Sequence, residues 1–502
     1  MGESMSSNCK FVSRVNELYQ TVRGSKAITK INAFLYSPWG LGFLAVCTLC
    51  GFSFGLELAF YTLVGALVLY TCLFCDDFTC LMAPFVFCYV TAGTANNPGR
   101  AEDSFFYTSG TYMLCIAGFA IVCVLTRMAI DKSIGFKKLF TKKRALLSGI
   151  LVLALAYFLS GIGRKDYGEI VKNNLTFAFL QFLCITFLYY LFATTIKWNE
   201  KSGKRFAWLG VITGILVTLE VCVIYLQMNV IVDGVIIRDR IDAGWGCYNN
   251  IGAMIALGIP FAFYLASTSK RPFWFILLGT ALLGGVFLSC SRGSMVGAVI
   301  VYILAFAYSF FFAKEKRLFR KSTYIFLGVC AVVGLFSWNF IARLFSAVPD
   351  IIGGISQENG IEFNDTGRIA IYKEGLKVFL NHPIFGESFY PENYAPWEYS
   401  QIEQLSSLIP PRWHNTIVQL LASCGVVGIL AYAFHRYQTV RLIWKKPTRL
   451  NLCIAISIIG LLLMSMLDCH FFNLGPALFY SMALAVAENA EDEIPAYPKR
   501  QR

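Results

Sequence analysis

Arg292, Arg368 and His414 each stand where an apolar run meets a polar stretch. Their types suit the handling of an anion and a proton. Arg292 follows Ser291 at the start of a helical pattern, among the small residues Ser289, Gly293, Ser294 and Gly297. Small residues let helices pack closely. That arginine is therefore expected inside a bundle, as a packing or capping group or as an anion site. Arg368 follows Thr366-Gly367 in the first turn of a predicted helix, where the helix dipole disfavours a cation. A bound anion would relieve the conflict, because guanidinium and free backbone N–H groups can share it. A solvated arginine is the plainer alternative. His414 opens another helix, where the dipole disfavours imidazolium; a neutral imidazole can accept a proton as a general base. The competing reading is an interfacial histidine that only makes hydrogen bonds.

The other titratable residues add less. His382 precedes Pro383 and is expected to end a helix. His435, beside Arg436, reads as an interface residue at the cytoplasmic end. His470, with Asp468, is external and is the reserve candidate. The histidines are scattered over two faces, and no HxxxH, HExxH or DxD pattern appears in an external loop, so no metal or other cofactor is expected. Asp239 and Asp242 are external, but Arg238 and Arg240 flank them. The 17 cysteines lie mostly in apolar runs, where cysteine acts as a small apolar filler.

The elements that position these groups must be membrane helices. The chain of 502 residues is 57% hydrophobic and only 15% charged, against about 25% charged in soluble domains. Apolar runs near the ~20 residues needed to cross a bilayer recur along it. They are continuous and do not alternate, which excludes a transmembrane β-barrel. The predicted fold class is an all-α polytopic transmembrane bundle of roughly twelve to fourteen spans. A basic segment 1–37 with no apolar core, and so no expected cleavable leader, precedes a bundle over 38–341. An external loop 342–412, further spans 413–488 and a tail 489–502 follow. Most of the 43 lysines and arginines fall in alternate loops on the N-terminal side, which the positive-inside rule places in the cytoplasm with both termini. The net charge of +13 is then a topology signal and does not point to nucleic acid. The protein is expected in the inner, cytoplasmic membrane.

A loop as long as 342–412 is usually functional or disordered. Within it Asn364 and Asp365 form a helix start. Ile369, Tyr372, Leu376 and Phe379 fall on one helical stripe, and Asn381-His382-Pro383 ends it. The expected product is an amphipathic helix at the outer membrane surface. Tyr390, Tyr394, Trp397, Tyr399 and Trp413 could stack on sugars or form an interfacial belt.

His414-Asn415, nine residues, then Gly425-Val426-Val427-Gly428 resembles the His-Asn-x9-Gly-x-x-Gly pattern of the O-antigen ligase and polymerase family. The run from Thr366 to Gly386 is similar to that family's large external loop. Ser291-Arg292-Gly293 resembles its arginine-bearing helix start, and Asn249-Asn250 through Pro260 its Asn-rich helix. The resemblance covers about residues 240–440 and implies a GT-C-type membrane glycosyltransferase. Such an enzyme takes a polyprenyl-diphosphate-linked glycan as donor. It moves the glycan to a hydroxyl of a glycan, lipid or protein acceptor on the outer face, without a metal. By the resemblance Arg292 and Arg368 would hold the diphosphate and His414 would deprotonate or orient the acceptor. Asn250, Asn415, Arg412 and Arg240 are possible supporting residues. Ligase and polymerase are not separated by these residues. The alternative is a transporter of a small anion or of a lipid-linked glycan, although no clear internal repeat of the kind transporters carry is evident.

Overall fold

In a computed structural model of the chain, the described residues are 14, 16–75, 77–90, 110–130, 144–165, 167–232, 235–336, 368–390 and 412–490. Among them the structure is helical apart from one two-residue hairpin, Ile231–Val232 with Val235–Ile236. The all-α expectation holds. The helices are α1 (Lys26–Leu35), α2 (Pro38–Phe54), α3 (Glu57–Phe74), α4 (Met82–Val90), α5 (Gly110–Ile130), α6 (Leu147–Phe158), α7 (Tyr167–Gln181), α8 (Leu188–Thr195) and α9 (Glu200–Gln227). They continue with α10 (Tyr248–Thr268), α11 (Pro272–Leu288), α12 (Arg292–Phe312), α13 (Lys316–Phe336), α14 (Arg368–Asn381), α15 (Thr416–Lys445), α16 (Arg449–Ser465) and α17 (Leu474–Asn489).

The apolar runs become helices where the sequence places them, but fewer are full spans. Among the described residues six helices are long and apolar enough to cross a membrane, or seven if α1 and α2, bent by 70°, form one broken span. Several other apolar helices have 10–17 residues. Seventeen residues rise about 25 Å, short of a ~30 Å hydrocarbon core. Local chemistry supplies the breaks. Gly55 in the left-handed region caps α2 and makes α2–α3 a hairpin, not one long helix. A π turn over Phe182–Phe187 carries α7 into α8, and Val171–Thr195 remains one of the six long helices. Large apolar side chains such as Trp39, Leu226 and Trp444 are more than four-fifths exposed, which suits a surface solvated by lipid.

Helix α10 is the axis of the molecule: every residue from Asn249 to Ser267 is buried. It packs against α9, α11, α12 and α16. Pro260 lies inside it and cannot donate a backbone hydrogen bond. From α16, Cys453 Sγ reaches the Pro260 carbonyl and Ser457 Oγ the Leu257 carbonyl (3.2 Å). Polar staples between the basic turns gather them at one end. Lys314 N donates to Ser267 O, Arg449 Nε to Phe312 O and Lys446 Nζ to Glu488 O. The residues of interest stand at the opposite end.

There, the segment after α14 crosses α15 backbone to backbone. Glu387 N donates to Ala422 O and Ser388 N to Ser423 O, while Val426 N and Val427 N donate to the Pro383 and Ile384 carbonyls. Two glycines permit it. Gly425 takes φ +61° inside α15 and kinks the helix. A Cβ there would lie 2.4 Å from the Ile384 oxygen, and one on Gly386 (φ +69°) would lie 2.2 Å from the Ser423 carbonyl carbon. Both positions combine left-handed backbone with contact against main chain that cannot yield. Ser160 Oγ binds the Ser423 carbonyl, and Asn174 and Arg164 hold Ser388 and Glu387. The N-terminal half thus fixes the crossing from beneath.

The predicted loop helix exists as α14, but its packed face differs from the expected stripe. Ile371, Tyr372 and Val378 pack on Trp413, Val418 and Ala422. Ile369 and Leu376 point away and are 51% and 43% exposed. Gly375 decides the face: a Cβ would meet Val418 at 2.6 Å and Trp413 at 3.0 Å, so α14 seats that side most closely. Asn364, Asp365, Tyr394, Trp397 and Tyr399 lie outside the described residues.

Gly425→Ala and Gly386→Ala should each destabilise the crossing by more than the ~1–2 kcal/mol of a left-handed non-glycine residue, because the backbone clash adds to it. Thermal unfolding in detergent should show a lower midpoint for both. A midpoint equal to wild type would contradict this reading.

Candidate active site

His414 has its backbone in the left-handed region, at φ +48°. A non-glycine residue there is uncommon, and such strain often marks functional positions. The chain is held on both sides. Tyr372 of α14 donates its hydroxyl to the His414 carbonyl (3.1 Å). Asn415 caps α15 by accepting from Ile417 N (2.8 Å) and Val418 N (3.2 Å). Its amide also donates to the Met466 carbonyl (2.9 Å), joining the start of α15 to the end of α16.

Asp468, in the turn between α16 and α17, is the hub. It is 4% exposed. Its Oδ1 lies 3.5 Å from His414 Nδ1, which has no other partner. Its Oδ2 accepts from Asn249 Nδ2 (2.9 Å), and Asn249 Oδ1 accepts from Ser291 Oγ (2.8 Å). Ser291 caps α12 and thereby places Arg292 in its first turn. One chain of side chains therefore runs from His414 through Asp468 and Asn249 to the residue before Arg292. Burial pushes the Asp468 carboxyl up, but His414, His470 and Arg412 outweigh it and hold it well below the usual carboxylate range.

The same turn carries His470, 2% exposed. Burial, opposed by Asp468 and reinforced by Arg412, Arg368 and His414, pulls its imidazole down to about 4. Tyr372, one turn after Arg368 on α14, binds the His414 carbonyl, so the start of α14 is held beside the Asp468 turn. Arg292 and Arg368 are half-buried and make no hydrogen bond or ion pair with the described residues, so both guanidinium groups are available to an anion.

The predicted residues separate cleanly. His414 and Asn415 stand in the network, Arg368 and Arg412 act electrostatically on His470, and Arg292 follows the Ser291 cap. Asn250 faces α17, where Asn473 donates to its Oδ1; its neighbour Asn249 makes the link to Asp468. Arg240 is exposed and donates to the Asn229 carbonyl (2.7 Å), with no bond into the network. Asp468, only a reserve with His470 in the sequence, proves central. The available signal was a carboxylate between two apolar runs, a costly placement that needs partners. His435 is no interface residue: it is fully buried against the Tyr480 hydroxyl, because α15 turns that side inward. His382 follows the last residue of α14, as expected. Among the described residues no group of three His, Cys, Asp or Glu side chains could hold a metal.

Acid should loosen this turn. His470 is neutral in the folded protein down to about 4, whereas an unfolded histidine protonates near 6.5. The unfolded state therefore binds more protons between those values, and stability falls as pH drops from 6.5 towards 4. Asp468 extends the loss below pH 4. Amide exchange across 466–473 should accelerate over that window in wild type and less in His470→Gln. Equal pH dependence in both would exclude His470 as the cause.

No curated protein matches the chain. Residues 276–433 match the family model described as O-antigen ligase. The matched stretch holds Arg292, Arg368, His414, Asn415 and the Gly425 kink, while Asn249 and Asp468 enter from outside it. Residues 276–433 are thus similar to the O-antigen ligase family, and the long apolar helices make the chain a polytopic membrane protein.

Proposed function

We propose that the protein is a metal-independent glycosyltransferase acting on the outer face of the cytoplasmic membrane. It moves a glycan from a polyprenyl-diphosphate carrier to an acceptor hydroxyl, as ligase or polymerase. The observation that carries this reading is the side-chain chain His414–Asp468–Asn249–Ser291, with the first turns of α14, which carry Arg368, held to it by Tyr372.

The chemistry follows from the geometry. Asp468 faces Nδ1 of His414 and favours the tautomer with its proton there. Nε2 is left as the acceptor. The acceptor hydroxyl attacks the anomeric carbon of the donor sugar while Nε2 takes its proton. The bond from that carbon to the diphosphate oxygen breaks, and its electrons leave with the diphosphate. Negative charge grows on that leaving group, and preorganised guanidinium groups stabilise such charge. Arg292 and Arg368 fill that role. A distance of 3.5 Å between His414 and Asp468 suits a site that tightens on substrate.

Purified protein given a polyprenyl-diphosphate glycan and an acceptor should release polyprenyl diphosphate. His414→Ala should lower the rate by ~10²-fold or more, and Arg368→Ala likewise. Asp468→Asn should lower kcat by at least about tenfold while the protein stays folded. Full activity in the His414 and Arg368 variants would discard these roles. Movement of an intact lipid-linked glycan or a small anion across vesicles, with no bond cleaved, would favour a transporter.

A further inference from the structure

Two cysteines depart from the role of apolar filler. Cys75 caps the end of α3, and Cys80 lies in the short helical turn Phe78–Leu81 that leads into α4. Both are buried. Between them Asp77 accepts from Lys197 N (3.1 Å), which ties this turn to the basic segment before α9. The pair therefore sits with the basic turns, at the end of the bundle opposite the candidate active site.

Arg205 of α9 reaches into the same turn. Its Nη2 donates to Cys80 Sγ (2.9 Å) and to the Leu35 carbonyl (3.1 Å), and its Nη1 donates to Thr79 Oγ1 (2.8 Å). Its charge lies over the Tyr36 ring, 4.2 Å from the centroid. A guanidinium bonded to sulfur favours the thiolate, which is the nucleophilic form. Cys75 lies within side-chain interaction of Cys80, with its sulfur 3.5 Å from Asn32 Oδ1. Burial opposes charge on Cys80, but the Cys75 thiol and the Arg205 guanidinium outweigh it and hold the thiol below its ordinary range. The two sulfurs are thus unequal: one carries the charge, and a neutral thiol stands beside it. A sulfenic acid formed on the first can be resolved by the second.

A cavity of about 210 Å³ lies against Cys80 and Arg205. Phe34, Leu41, Leu44, Leu67 and Pro84 form apolar walls around it. It is below the ~300 Å³ of most drug-sized sites. Its shape suits a small molecule with an apolar body and one reducible polar group at the sulfur.

We infer that Cys75 and Cys80 form a peroxide-reactive dithiol whose oxidant is a small organic hydroperoxide seated in this cavity. The Cys80 thiolate attacks the terminal peroxide oxygen. The O–O bond breaks, and its electron pair leaves with the alkoxide. The alkoxide takes up the proton that Cys80 had released to solvent and departs as an alcohol. Arg205 lines the same cavity and stabilises the charge developing on oxygen. Cys80 is left as a sulfenic acid. The Cys75 thiol attacks its sulfur, the S–S bond forms, and the hydroxyl leaves as water with the Cys75 proton. The two sulfurs lose two electrons, and the hydroperoxide gains them. The disulfide removes the anionic partner of Arg205 and ties the end of α3 to the turn before α4. None of this depends on glycosyl transfer.

The test uses the reduced full-length protein in detergent, exposed to cumene hydroperoxide or to hydrogen peroxide, then alkylated and mapped by mass spectrometry. Cumene hydroperoxide should remove the Cys75 and Cys80 thiols together, leaving that segment unalkylated and lighter by two hydrogens. It should act at least about tenfold faster than hydrogen peroxide, because its ring gains from the apolar walls. Cys75→Ser should stop the reaction at a Cys80 sulfenic acid that dimedone traps, and Cys80→Ser should leave Cys75 alkylatable. Arg205→Gln should slow the oxidation by about tenfold or more. The exposed Cys115 and Cys330 serve as reference thiols. Cys75 and Cys80 that stay alkylatable, or oxidation of Cys115 or Cys330 at the same rate, would overturn the assignment. Equal rates with the two peroxides would overturn the choice of oxidant.

Discussion

A buried carboxylate must be paired, and most of the geometry at this end of the bundle follows from pairing Asp468. Removing one partner of a buried charge is strongly unfavourable, since the other is left unsatisfied. Asp468 meets His414 at the head of α15, Asn249 at the head of α10 and the field of Arg412. Through Asn249 it also fixes the Ser291 cap and hence the first turn of α12. Several helix ends are thus registered against one side chain. On the proposed mechanism the same pairing would set the tautomer of His414, so the constraint that organises the fold would also prepare the base.

A second constraint sets the height of α14. The crossing at Gly386 and Gly425 brings two backbones within hydrogen-bonding distance, and Gly375 lets α14 settle on Trp413 and Val418. Arg368, in the first turn of that helix, thus stands one turn before Tyr372, whose hydroxyl binds the His414 carbonyl. An arginine in the first turn opposes the helix dipole. Here an incoming diphosphate would resolve the opposition. Gly425 belongs to the pattern that begins with His414-Asn415, and its role becomes physical: it bends α15 so that the loop segment can lie across it.

The donor proposed for this site is half apolar and half highly charged, and the protein offers matching halves. Arg292 and Arg368, unpaired among the described residues, lie at one end, and an apolar trough leads away between α15 and α16. Asn415 is the hinge between them, capping α15 while holding the end of α16.

The amino-acid sequence alone determined the medium and the class of fold. Long apolar runs have no stable state but helices in lipid, and alternate basic loops sort to one end. It also made His414, Asn415, Arg292 and Arg368 stand out, because charge at the edge of an apolar run is expensive and local helix starts are readable. Partnership was decided only in three dimensions. Asn249 and Asp468 lie 219 residues apart, and nothing local to either distinguishes Asn249 from Asn250; the rotation of α10 does. The inward face of His435 and the face of α14 that packs depend likewise on neighbouring helices. So does the number of full spans, since α11 and α16 stop at 17 residues inside runs that hydropathy reads as spans. Hydropathy and spacing report energies along the chain, while a hydrogen bond between distant helices depends on how those helices are turned against each other.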